Sequence, residues 1–133
     1  MLASEIKPGV TTLELDKKAE TFIRDHGAIP GFLGLYDFPN TLCMSPNEQV
    51  VHGIPNNTPM QEGDIISIDC GVLQNGYYGD HASTFEVGEI DAETKKLLER
   101  TKTSLYKGIE AFRIGNRVGD VGFTIQQYVE QFG

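Results

Sequence analysis

Apolar residues recur along this chain with two different periods. Leu15, Ala19, Phe22 and Ile23 follow a helical spacing after Thr11-Thr12-Leu13-Glu14. That tetrad is a capping-box pattern, in which the Thr11 hydroxyl takes an orphan amide and Glu14 reaches back. Gly27 is placed to stop the helix, with Pro30 just beyond. Residues 30–62 are rich in turn formers, among them Pro30, Gly31, Gly34, Pro39 and Asn40. Within them, 41–44 and 49–52 read as two short strands joined by Ser45-Pro46-Asn47-Glu48, and Gly53-Ile54-Pro55-Asn56-Asn57 reads as a loop. The period then shortens to two: segments 64–74 and 77–87 flank Asn75-Gly76, the strongest short hairpin signal. Helical spacing returns from about Asp91, with Leu98, Thr101, Leu105, Ile109 and Phe112 on one stripe and a stop at Gly115. A last helix starts near Gly119-Asp120, carries Val121, Ile125, Tyr128 and Val129, and stops at Gly133. This order predicts an α+β fold, one domain over residues 1–133, with antiparallel strands covered on one face by helices.

The hairpin places chemistry. With Asn75-Gly76 as a two-residue loop, Gln74 pairs with Tyr77, so Asp69 lies opposite Ala82 and Asp80 opposite Gly71. Paired residues share a face, and faces alternate along a strand, so Asp69 and Asp80 are diagonal neighbours on one face. Diagonal Cβ atoms lie roughly 7–8 Å apart or somewhat less, a separation from which two carboxylates reach cations about 3.5–4 Å apart. Gly71 and Gly79 read as leaving room beside the aspartates, while Ile66, Ile68, Val72 and Phe85 form the opposite, buried face. Aspartate is rare in strands. The plainer alternative is a pair of solvated charges on an open sheet face. Two carboxylates do not fill a divalent ion's shell, so further His, Glu or Asp donors would be required.

Composition narrows the partners. A net charge of −8 on 133 residues argues against nucleic acid, which demands clustered Lys and Arg. No apolar run is long enough for a membrane span, and Met1-Leu2-Ala3-Ser4-Glu5 lacks a secretory pattern. Cys43 and Cys70 are expected as reduced thiols in a cytoplasmic protein, a single bridge being the other option.

The chain also repeats itself. Comparing 6–27 with 112–133, Gly9 falls on Gly115, Leu15 on Val121, Ala19 on Ile125, Phe22 on Tyr128, Ile23 on Val129 and Gly27 on Gly133, an offset of 106 residues. Any two amphipathic helices of equal length match their stripes by geometry. The glycines at both ends are what favour duplication, in which case the chain holds one repeat plus the first helix of a second.

These residues resemble a known family. Val50-Val51-His52-Gly53-Ile54-Pro55, Glu62-Gly63-Asp64-Ile65-Ile66-Ser67-Ile68-Asp69 and Asn75-Gly76-Tyr77-Tyr78-Gly79-Asp80 are similar to the first half of type I methionine aminopeptidases of bacterial kind. Ser104-Leu105-Tyr106-Lys107-Gly108-Ile109 and Gly115-Asn116-Arg117 extend the similarity over nearly the whole chain. The resemblance implies a half pita-bread fold, a curved antiparallel sheet with helices on one face. It implies removal of N-terminal methionine from proteins and peptides, with two divalent ions (Co, Mn, Fe, Zn or Ni) as cofactors. By the same resemblance Asp69 and Asp80 are metal ligands, His52 contacts substrate near the scissile amide, and Phe32, Leu35, Phe38 and Cys43 line the methionine pocket. An apolar wall with a soft sulfur suits a thioether. The other reading of Phe32 and Phe38 is ordinary core packing, and that of His52 a loop histidine without a role.

The chain departs from the family in Tyr78, where a histidine is frequent, and carries His81 after the ligand, on the face opposite Asp80. The family's remaining ligands, one His and two Glu, and a second catalytic histidine correspond to positions beyond residue 133. The expectation is therefore a half inactive or weakly active alone, acting on peptide or nascent-protein N-termini beginning with Met, with a homodimer through the exposed half-fold surface as one way to complete the site. The competing reading is a non-catalytic pita-bread binding or scaffold module. A relative cutting before proline fits less well, given the match through residues 50–55.

Overall fold

The computed structural model describes residues 1–133. The chain forms two compact units, Met1–Ile90 and Asp91–Gly133.

In the first unit, a 3₁₀ turn over Leu2–Ser4 precedes helix α1, Thr12–Asp25. Its capping box forms as expected: Glu14 N–H donates to Thr11 Oγ1 at 3.2 Å, and Thr11 N–H donates to Glu14 Oε2 at 2.8 Å. Gly27 follows in the left-handed region at φ 71°. The sheet has four strands: β1, Ile29–Pro30; β2, Leu42–Pro46; β3, Ile65–Gln74; and β4, Tyr77–Glu86. All pairings are antiparallel. β3 is central. Along one edge it pairs with β4 over its whole length, and along the other with β2 first and then with β1.

Alternation along β3 sorts the sheet into two faces. Ile66 and Ile68 are buried on one, where Leu15 and Ala19 of α1 join Leu42, Met44, Met60 and Val87 in a single core. Cys70 and Phe85 pack against its border. Phe22, expected on the α1 stripe, is 44% exposed. Its ring lies instead against His26, centroids 4.1 Å apart.

Residues 49–52 do not form the expected second short strand. Met44 N–H donates to Gly53 O at 2.8 Å, so the chain folds back onto β2 through Gly53. His52, at φ 59°, is incompatible with an extended strand.

The second unit is a pair of helices: α2, Ala92–Ala111, capped by Asp91, and α3, Val118–Val129, followed by a 3₁₀ turn over Glu130–Phe132. They meet at buried Gly108, where an added Cβ would fall 3.0 Å from Ile125 Cγ1. α2 ends at Ala111, before Gly115, and Leu105, Ile109 and Phe112 are exposed. The internal repeat extends to backbone detail. α1 starts at Thr12 and α3 at the equivalent Val118, and Gly9 and Gly115 share a left-handed φ of 90° and 98°. Arg117 N–H donates to Asp120 Oδ2 at 2.7 Å, matching the Thr11–Glu14 bond. No helix is long and apolar enough to cross a membrane.

Two outcomes follow for α1. Thr11→Ala removes the cap acceptor and should lower stability by about 1 kcal/mol, read by urea denaturation. The Thr11 backbone N–H, aided by its hydroxyl, holds the Glu14 carboxyl below the usual carboxylate range. A depressed carboxyl contributes stability above its unfolded value and loses it as pH falls through the folded one. The ¹³C titration of Glu14 should accordingly have its midpoint below that of a free glutamate, and Thr11→Ala should raise it.

Candidate metal centre

The register of the β3–β4 hairpin is the one expected from its turn: Asp69 pairs with Ala82 and Asp80 with Gly71. The turn supports it with Asn75 at φ 51° and Gly76 at φ 83°, both left-handed as a tight hairpin of this kind requires. On the other edge Cys43 pairs with Asp69 and Ser45 with Ser67. One sheet face thus carries Cys43, Ser45, Ser67, Asp69, Asp80 and Thr84, with the Ser67 and Thr84 hydroxyls 2.8 Å apart. The face lying on α1 is apolar by comparison. His81 pairs with Cys70 there, away from Asp80. Both cysteines are free.

Electrostatics at the aspartates are unfavourable as they stand. Burial pushes the Asp69 carboxyl above its ordinary range, and the neighbouring Asp80 carboxyl pushes it further. His52 opposes that shift through its charge. Asp69 Oδ1 is buried with no hydrogen-bond partner. Burial also raises the Cys43 thiol, with Asp69 and then Asp80 adding to the effect. An orphaned carboxylate oxygen beside a second carboxylate is what a cation would relieve. The donor set fits a divalent ion in kind, since both are hard oxygen ligands. It falls short in number, because no group of three His, Cys, Asp or Glu side chains converges anywhere in the structure.

The loop bearing His52 is fixed from below. Gly53 N–H donates to the buried Ser45 Oγ at 3.0 Å, and a Cβ at Gly53 would run into the Met44 carbonyl. His52 itself is exposed. Sequence reasoning passed over Ser45, because a serine reads as a turn former until its strand is known.

Phe32, Leu35 and Phe38 are gathered by backbone hydrogen bonds within their own loop. Leu35 N–H donates to Phe32 O at 2.9 Å, Phe38 N–H to Leu35 O at 3.0 Å, and Gly34 N–H to Phe38 O at 2.9 Å. Phe32 and Phe38 are half-buried, Leu35 is 51% exposed and Cys43 is 7% exposed. The space expected beside Gly71 is filled: a Cβ there would lie 2.8 Å from Phe32 Cδ1 and Cζ. Gly79 has open space but pairs with Val72, on the face opposite Asp80. A cavity of about 650 Å³ also opens on that opposite face, among Phe22, Ile68, Cys70, Val72 and Phe85.

A residue also overlooked is Asp16, buried on α1 next to Leu15 in the chain. Its Oδ1 accepts from Thr41 N–H at 3.0 Å and Leu42 N–H at 2.8 Å, and its Oδ2 from Asn40 Nδ2 at 2.9 Å. It ties α1 to the start of β2, two residues before Cys43. A charged residue on the buried stripe was the signal that could have found it.

Comparison with known proteins gives the class first. The crystal structure of methionine aminopeptidase from Rickettsia prowazekii superposes with a TM-score of 0.96 at 41% identity, covering 98% of this chain and 52% of that one. The fold is accordingly α+β, an open antiparallel sheet with helices, of the pita-bread kind. The sequence profile of metallopeptidase family M24 matches residues 1–133, and the chain belongs to that family. Methionine aminopeptidase of Clostridium acetobutylicum is 53% identical over all of this chain, and methionine aminopeptidase 1 of Bacillus subtilis is 50% identical over 97% of it. The chain spans about half the length of the curated relatives it matches, 54% and 52% of these two. Family membership implies divalent-metal cofactors.

Ser45→Ala leaves the buried Gly53 N–H unpartnered. The expected loss is about 1–3 kcal/mol in urea denaturation, with the His52 ring resonances moving toward random-coil positions. A variant as stable as the parent would show that the backbone alone holds the loop.

Proposed function

We propose that this chain is the metal-site half of a methionine aminopeptidase, a hydrolase that removes N-terminal methionine from proteins and peptides. The observation that carries the reading is the Asp69–Asp80 pair on one sheet face, with Asp69 Oδ1 buried and unpartnered. Asp69 and Asp80 would hold the divalent ions, which supply Lewis-acid charge for amide hydrolysis. His52, exposed on a loop pinned to β2, would hydrogen-bond the substrate backbone. Phe32, Leu35, Phe38 and Cys43 offer apolar surface and a soft sulfur to a thioether side chain.

With two carboxylates and no third donor converging on them, the chain carries part of a coordination shell. Alone it is expected to be inactive or weakly active. A homodimer joining the two polar sheet faces would bring four aspartates and no histidine ligand together, a weak metal site. The competing reading, a non-catalytic scaffold, has the incomplete donor set as its support.

Calorimetry with manganese or cobalt separates them. Weak binding is expected, abolished by Asp69→Asn and by Asp80→Asn, with little methionine release from a Met-Ala-Ser peptide. Absence of heat at millimolar metal would leave the scaffold reading standing.

A further inference from the structure

Gly71 sits in the row of β3 directly beside the candidate centre. It pairs with Asp80 and lies two residues from Asp69 on the same face. It is buried, and what buries it is the ring of Phe32, which occupies the volume where a side chain at 71 would begin. The backbone that carries Phe32 is held on both sides. Upstream, Pro30 pairs with Val72, and Gly31 N–H donates to Gly71 O at 2.7 Å. A Cβ on Gly31 would itself lie 3.0 Å from the Gly71 carbonyl carbon and oxygen, so two glycines are needed for this approach. Downstream, Phe32 O accepts from Leu35 N–H.

We infer that Gly71 is a specificity-determining position that sets the width of the side-chain pocket by fixing how deeply the Phe32 ring seats against the sheet. The inference rests on the proposed role of Phe32 as a pocket wall. With the backbone pinned, a methyl group at 71 cannot be absorbed by retreat of the loop. The ring must turn about its side-chain torsions, away from Gly71 and from the sheet face that also carries Asp69 and Asp80. The pocket then narrows, and a long, unbranched side chain suffers more than a short one. A purely structural glycine would lower stability without changing the preference between ligands.

The test is an NMR titration of the whole chain with L-methioninamide and with L-alaninamide. In the parent, methioninamide should bind more tightly than alaninamide. In Gly71→Ala that preference should fall by about tenfold, the size of effect a methylene-scale change in a pocket produces. The Gly71→Ala/Phe32→Ala double variant should recover it. Should Gly71→Ala not fold, Phe32→Ala alone should shift preference toward L-phenylalaninamide. A folded Gly71→Ala with the parental preference overturns the inference, as does a Phe32→Ala with no gain for the larger ligand. A second readout separates this from the underlying pocket reading. The Gly71 Hα resonances should be ring-current shifted in the parent and not in Phe32→Ala, and an absent shift overturns the packing itself. A shift present with no amide bound by any variant overturns both the pocket reading and the specificity role, and leaves only the packing.

Discussion

Two carboxylates set side by side repel, and nothing in their own chemistry keeps them together. What holds Asp69 and Asp80 on one face is the register of a hairpin of two ten-residue strands, locked by a turn whose two residues both take left-handed backbone. A slip of one residue would move one strand's set of side chains to the other face, placing Asp80 in the apolar core and Phe85 in solvent. Phe85 resists that slip, because it packs against the core that Ile66 and Ile68 form with Leu15 and Ala19 of α1. The hydrophobic face thus enforces the geometry of the polar one.

Everything else near the centre is hung on β3. β2 contributes Cys43 opposite Asp69, and its Ser45 hydroxyl anchors the loop that presents His52. β1 brings Gly31 against Gly71, which seats the Phe32 ring. Asp16, a buried carboxylate satisfied by two backbone amides and an asparagine, ties the start of β2 to α1. Two segments therefore reach the face that carries the aspartates through hydrogen bonds, the His52 loop by way of β2 and the Phe32 loop by way of β3, while Asp16 secures β2 from the α1 side.

The internal repeat gives the helices a second meaning. α1 and α3 begin at equivalent positions, are preceded by left-handed glycines, and share the bond from the cap amide to an acidic side chain three residues on. Stripe matching alone would follow from any amphipathic helix. Shared backbone conformations outside the helices do not, and they strengthen the case for duplication.

Local signals determined much of this protein on their own. The capping box of α1, the Asn75-Gly76 turn and the facing of Asp69 and Asp80 depend on neighbours a few residues apart or on a two-residue periodicity, so they were legible in the chain. Tertiary structure alone decided the rest. Residues 49–52 carry strand-forming types, yet His52 turns left-handed and it is Gly53 that meets β2, at Met44 N–H and Ser45 Oγ. Gly71 read as open space and is filled, because the ring that fills it arrives from a segment some forty residues earlier. The physical reason is the same in both cases: period and turn chemistry are properties of the chain, whereas which distant group meets a given amide or vacancy is settled only when the segments pack.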